Sequence, residues 1–222
     1  MKVILSRKGF DSASGGYPSP ILPSGEMVSL PIPLDDDIRY SDLKIGRSTY
    51  YDIMADLKHE INSKGKWVDL NEATRCHLDP DIHRESFERE PGWKACFGQI
   101  DAAQSHLENQ RVTEGDLFLF FGWFRKTRYY NGKLEYDPQD RDLHAIFGYL
   151  QIGEIQKVNP SFNVPKWMAY HPHTKGWRRK NKTNTIYIAR GNLSWNEPLP
   201  GAGRFMFNND LILTKKGLSR SK

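Results

Sequence analysis

The sequence predicts an α+β chain: a mixed, mostly antiparallel curved sheet or β-barrel carrying two or three helices. Three observations predict it. Residues 117–124 (LFLFFGWF) and 144–155 (HAIFGYLQIGEI) are long apolar runs rich in aromatics and flanked by glycines, a pattern that favours buried strands over helices. A polar loop from Arg125 to Asp142 separates them, as an antiparallel hairpin requires. Two other stretches carry the 3.6-residue period of amphipathic helices, and helices set apart from a run of strands define the α+β class.

The elements follow in order. Lys2–Leu5 reads as a short buried strand that opens into a glycine- and serine-rich loop from Ser6 to Gly16. Pro18, Pro20 and Pro23 come next, with a Ser24-Gly25 turn, and Met27–Leu30 is expected to return as a hairpin strand before Pro31 and Pro33 end it. Ser48 or Thr49 caps a helix expected to reach about Asn62, with Tyr50, Ile53, Met54, Leu57 and Ile61 on one face and Gly65 as its stop. Residues 66–96 have no regular pattern. A second helix is expected from about Phe97 to Asn109, lined by Ile100, Ala103 and Leu107. In the second long strand, Gly148 or Gly153 marks a bend or bulge. Trp167–Tyr170, Thr185–Ala189 and Leu211–Thr214 read as further strands, followed by a basic tail. No repeat or low-complexity linker divides residues 1–222, which are taken as a single domain.

Composition narrows the function classes. Hydrophobic residues make up 38% of the chain and aromatics 12%, enough for a core. No run approaches the roughly 20 apolar residues of a membrane helix, so no membrane partner is expected. Met1–Lys8 has four apolar residues before it turns basic, shorter than a signal peptide needs. Cys76 and Cys96 lack the spacing of a disulfide framework or a thiolate zinc site. Reduced thiols and a cytoplasmic location are the expectation. The net charge of +5 is unevenly spread: residues 155–222 hold 13 Lys and Arg against Glu197 and Asp210, and nothing between Glu154 and Glu197 is acidic. Such asymmetry suits a polyanion, a nucleotide or nucleic acid; a solvated basic face is the alternative.

Five constellations can carry chemistry. In the loop after the first strand, Ser6, Arg7, Lys8 and Ser12 can meet phosphate, Arg7 as a fork and Lys8 as a point charge, while Asp11 can accept a proton or a ribose hydroxyl. The Walker and Gly-x-Gly-x-x-Gly patterns are absent; the same residues also suit a plain surface loop. His77-Leu78-Asp79-Pro80-Asp81 offers a histidine and two carboxylates for acid–base work or a hard divalent metal, although Asp-Pro-Asp is also a common turn. Gln99 can read a base edge or simply face solvent. Trp123 and Arg125, with Tyr129, Tyr130, Lys126 and Arg128 nearby, can form a stacking platform, although alternate residues of that strand belong to the core. His171 and His173 flank Pro172 and can act as acid or base. Lys175, Trp177, Arg178, Arg179 and Lys180 follow, cations around one ring, as for a phosphate backbone and a stacked base. The His-x-His pair lacks a third ligand fixed by spacing, so no metal ligand is assigned. The cofactor is left open, a divalent metal being the one these residues allow.

Two resemblances add to this. Gly115–Phe121 followed by Ile146–Glu154 resembles the central hairpin of PUA-like domains, which include the ASCH and EVE groups and base-reading domains; it implies a PUA-like barrel. Ser6–Ser12, Gly15–Ile21, His77–Asp81, Phe97-Gly98-Gln99, Gly115–Arg125 and His171-Pro172-His173 together are similar to the third of the nucleotide-modification-associated domain families of bacteria and phages. That resemblance implies a role beside DNA base modification and favours DNA as partner. It carries no catalytic assignment. Three readings follow: a nucleotide or nucleic-acid binder holding a base in a cleft, an enzyme using Arg7 and Lys8 on phosphate with Asp11, Asp79, Asp81, His171 or His173 as acid and base, and a protein-interaction module in a phage-defence setting. The enzyme reading requires the 6–12 loop, the 77–81 segment and the two histidines to converge.

Overall fold

A computed structural model describes residues 1–215, 217 and 218. Lys216, Arg220 and Lys222 of the expected basic tail lie outside the described residues. The main sheet has eight strands: β1 (Val3–Arg7), β2 (Ser19–Ile21), β3 (Cys96–Gln99), β4 (Leu117–Tyr130), β5 (Lys133–Tyr136), β6 (Leu143–Lys157), β7 (Thr185–Ala189) and β8 (Ala202–Arg204). Its path runs β1-β4-β6-β7-β3, with β2 and β5 also on β4 and β8 also on β6.

The two long apolar runs pair antiparallel, Phe118 opposite Leu150 and Trp123 opposite His144. The register slips beside Gly148 and again at Gly153, where the sequence placed bends. Each bulge adds twist, and the sheet curls until the chain leaving β1 reaches β3: Lys8 Nζ sits 4.2 Å from the Phe97 ring centroid. β1 and β3 remain the two ends of the strand path, so the sheet is an open, curved α+β structure and not a closed barrel.

Several elements differ from the sequence reading, each for a physical reason. β1 is an edge strand paired parallel to β4, with Val3 and Leu5 each 55% exposed; Ile4 alone of these packs on the sheet's core. Helix α1 (Tyr50–Leu57) starts with a Thr49–Asp52 capping box but stops before Ile61. Glu60–Ser63 instead pairs with Lys66–Asp69, because Lys64 and Gly65 both adopt positive φ, the geometry of a tight hairpin turn. Phe97 and Gly98 belong to β3, and helix α2 spans Asp101–Asn109. Residues 167–170 are not a strand: Lys166–Met168 is a single 3-10 turn begun by Pro165. Residues 211–214 form no ladder with the sheet but one bridge, Ile212 to Ala145, beside the His144 N–H donated to Thr214 Oγ1, and Met27 forms one bridge to Ile21.

Among the described residues three apolar clusters fill the interior. Tyr40, Leu43, Met54, Ile61 and Cys76 pack under the first third of the chain. Phe97, Phe118, Phe120 and Phe147 lie on the curved sheet. Cys96, Met168, Ile186 and Ile188 form the third. Cys76 and Met168 are each within three residues of the polar side chains described next, and the Phe97 ring lies 4.2 Å from Lys8 Nζ, so these side chains sit where the clusters meet. Among the described residues no helix is long and apolar enough to cross a membrane.

Candidate functional site

Three separate segments deliver Lys8, His77 with Asp79, and His171 with His173 to one buried polar centre. Asp79 is its hub. Its Oδ1 accepts the Gly98 backbone N–H at 2.7 Å and lies 3.5 Å from His171 Nε2, and its Oδ2 lies 3.9 Å from Lys8 Nζ. Burial by itself would raise the Asp79 carboxyl pKa. The His171 hydrogen bond and the charge of Lys8 outweigh it and hold Asp79 well below the ordinary carboxylate range. For Lys8 burial prevails: it lowers the amine from its usual value against the pull of Asp79.

The histidines are oriented by their second nitrogens. His173 Nδ1 lies 2.7 Å from Asn184 Oδ1. Asn184 gives both amide protons to carbonyls, those of Val158 and His173, so its oxygen faces the ring and His173 Nδ1 must carry the hydrogen. His77 Nδ1 lies 2.7 Å from Asp36 Oδ2. Arg178 grips the same carboxylate at 2.6 and 3.2 Å. Burial would raise Asp36, but the His77 and Arg178 hydrogen bonds prevail and lower it, so His77 Nδ1 is also the protonated nitrogen. Both rings therefore keep the lone pair on Nε2. His171 has the opposite tautomer: its Nδ1 accepts from the His173 backbone N–H at 3.3 Å, leaving the Nε2 proton toward Asp79. Burial lowers the His173 pKa to about 3, so this ring is neutral at physiological pH.

Gly98 is required by this packing. A Cβ there would lie 2.3–2.7 Å from the His173 ring atoms Cδ2, Cγ and Nε2, well inside contact distance. One ligand atom each from His77, Asp79 and His173 all fall within 4.8 Å of one another, so these three residues can hold a metal ion.

The other residues singled out in the sequence lie elsewhere. Asp81 is fully buried but faces away, held by Arg89 at 2.6 and 2.8 Å, by Trp93 Nε1 at 3.1 Å and by the Tyr170 hydroxyl. Asp11 accepts the Ala13 and Ser14 N–H groups at 2.8 Å and pairs with Arg7 at 3.2 Å, organising its own loop; Ser12 is exposed on it. Ser6, Arg7 and Gln99 line an open groove of about 590 Å³ between β1 and α2. Trp123 is buried in β4, and Arg125 bonds the Asp137 carbonyl at 3.1 Å.

The basic run is partly neutralised from within. Lys175 pairs with Asp37 at 2.5 Å and Arg178 with Asp36, while Arg179 bonds the Asn159, Pro160 and Phe162 carbonyls. Trp177 and Lys180 stay exposed on the same turn. Sequence reasoning did not find Asp36, Asn184 or the need for Gly98. The run Asp35-Asp36-Asp37 between Leu34 and Ile38 was the available signal: three acids in an otherwise apolar segment.

No curated protein and no solved structure matches the chain. A family model does, nucleotide modification associated domain 3, over residues 2–222, and the chain belongs to that family: it is a domain associated with nucleotide modification.

Proposed function

We propose that this domain takes up a nucleotide, free or within DNA, and acts on it chemically at the Lys8–His77–Asp79–His171–His173 centre. The observation that carries this reading is convergence: Lys8, His77 with Asp79, and His171 with His173 come from distant parts of the chain and share one carboxylate and its surroundings. Buried titratable groups with shifted pKa values gathered in one place are more often functional than structural. Lys8, its amine lowered by burial, and His77, at the rim with 11% side-chain exposure, are the groups best situated to exchange protons with a bound molecule. The Arg178–Asp36–His77 chain ties the exposed Trp177 turn to the centre, so a stacked base and a phosphate on Lys180 would lie along that turn.

The test is a binding screen with mononucleotides and single-stranded, duplex and modified DNA at low and high salt, followed by nucleoside analysis of the incubated DNA by mass spectrometry. The expected result is salt-weakened binding, reduced at least tenfold in Lys8→Gln and His77→Gln. No binding by any probe at low salt would overturn the reading. A reader that binds without chemistry is the second reading. It is favoured by how tightly the centre is closed: His171 is 0% exposed and His173 3%. Binding with unaltered DNA under every condition would select it.

A further inference from the structure

We propose that His77, Asp79 and His173 form a binding site for one first-row divalent cation, the two imidazoles ligating through Nε2. The inference stands on side-chain geometry, independently of the nucleotide reading. Both rings have the Nδ1 hydrogen committed, His77 to the Asp36 carboxylate and His173 to the Asn184 oxygen, each at 2.7 Å. A metal-binding histidine almost always donates its other N–H to just such an acceptor, which fixes the tautomer and aims the ligating lone pair. Asp36 is itself anchored by Arg178, and Asn184 by two carbonyls, so the supporting contacts are complete on both sides. Asp79 Oδ1 is already taken by the Gly98 N–H. Its Oδ2 has Lys8 at 3.9 Å, too long for a hydrogen bond, which leaves that oxygen for a cation.

One donor atom from each of His77, Asp79 and His173 lies within 4.8 Å of the other two. With metal–ligand bonds of about 2.0–2.2 Å, tetrahedral neighbours stand roughly 3.4 Å apart. Binding therefore draws the widest pair inward by up to about 1.4 Å, a movement that His77 at the rim can supply. Two histidines and one carboxylate without cysteine suit Zn²⁺ with an open fourth position, or Fe²⁺. The same donors are a poor match for Ca²⁺, which takes six to eight oxygens. Lys8 is the competitor: its ammonium and the metal oppose each other at the same Asp79 oxygen.

The experiment uses the full chain, stripped with chelator and titrated in separate samples with Zn²⁺, Co²⁺, Fe²⁺ under argon, and Mn²⁺. Bound metal per chain is measured after gel filtration, with the visible spectrum of the Co²⁺ form and the thermal shift alongside. Expected are one metal per chain, a Co²⁺ spectrum of nitrogen–oxygen ligation, and a rise in melting temperature. His77→Gln, at the rim and so tolerable to the fold, should weaken binding at least 100-fold. Asp36→Asn, which leaves every ligand in place, should weaken it 10- to 100-fold. Lys8→Met should bind more tightly than the parent chain. Folded parent chain that retains less than about a tenth of an equivalent of all four metals would overturn the proposal. So would undiminished binding in His77→Gln, because the ion would then sit elsewhere. Nucleotide binding measured in chelator tests the functional reading separately, so either can fail alone.

Discussion

Asp36 Oδ2 and His77 Nδ1 lie 2.7 Å apart across 41 residues of sequence, and Arg178, a further 101 residues on, closes a fork on the same carboxylate. This chain is how three distant segments are held in register around the polar centre. It also decides where the basic run directs its charge. Arg178 is 12% exposed and Asp36 11%, so the pair is largely removed from water. Breaking a buried pair by removing one partner leaves an uncompensated charge and costs about 3–5 kcal/mol. With this residual exposure, Asp36→Ala is expected to lose about 2–3 kcal/mol in urea denaturation, and Asp36→Leu with Arg178→Met to recover more than half of it. A loss below about 0.5 kcal/mol would mean that the fork contributes no more than an ordinary surface pair.

Gly98→Ala tests the close approach between β3 and His173. The added methyl would overlap the imidazole by more than an ångström, and His173 is 3% exposed and bonded to Asn184, so the ring has nowhere to turn. Overpacking costs about 1–3 kcal/mol, and here it also disturbs the N–H that Asp79 accepts. The expected outcome is a loss of about 2 kcal/mol in chemical denaturation, accompanied by loss of whatever the centre binds. Unchanged stability with intact ligand binding would contradict the packing.

Asp79 and Asp81 are separated by one proline and should behave as unrelated residues. Asp81 is 0% exposed and Arg89 4%; Asp81→Asn is expected to cost about 3–5 kcal/mol while leaving ligand binding by the centre intact at temperatures where the protein stays folded. Asp79→Asn is expected to abolish that binding. The removed charge is one that Lys8 and His171 both face. The pair of variants, compared by equilibrium denaturation and by nucleotide and metal titration, reads the two roles apart. Equal effects of both on binding would deny the division.

How much of this was legible in the sequence follows the range of the interactions. The β4–β6 pairing and its bulges could be read because aromatic runs and interrupting glycines are local signals. Thr49 could be read as a cap for the same reason. Ile61 was assigned to the helix because 3.6-residue periodicity ran on by coincidence into a hairpin set by the positive φ of Lys64 and Gly65. At the site, Lys8, Asp79, His171 and His173 were visible as residue types at loop positions. Their partners were not: Asp36 is 142 residues from Arg178, and no local pattern reports which acid a cation will meet. The Asp79–Pro80–Asp81 turn reads symmetrically, and only the Arg89, Trp93 and Tyr170 contacts assign Asp81 to the scaffold. The stretch between Glu154 and Glu197 is acid-free in sequence, but part of its charge is answered by Asp36 and Asp37 inside the fold.

His83 sets a pH limit on stability that is separate from the centre. Burial lowers its pKa from 6.5 to about 3, with the positive charges of Arg204 and Arg89 acting in the same direction. The exposed Glu85 carboxylate, 3.6 Å from Nε2, is the acid facing the ring, and it does not reverse the shift. Because the folded value lies below the unfolded one, the unfolded chain binds the extra proton as pH falls below about 6.5, and the fold loses stability through that window down to about 3. One proton taken up on unfolding gives a slope of at most about 1.4 kcal/mol per pH unit. The full slope includes other groups, so the difference between the parent chain and His83→Gln isolates this one. Urea denaturation at half-unit steps from pH 7.5 to 4.5 should give a shallower decline for His83→Gln, with the two curves parallel above pH 7. Identical slopes below pH 6 would mean that the ring is hydrated and titrates at its ordinary value.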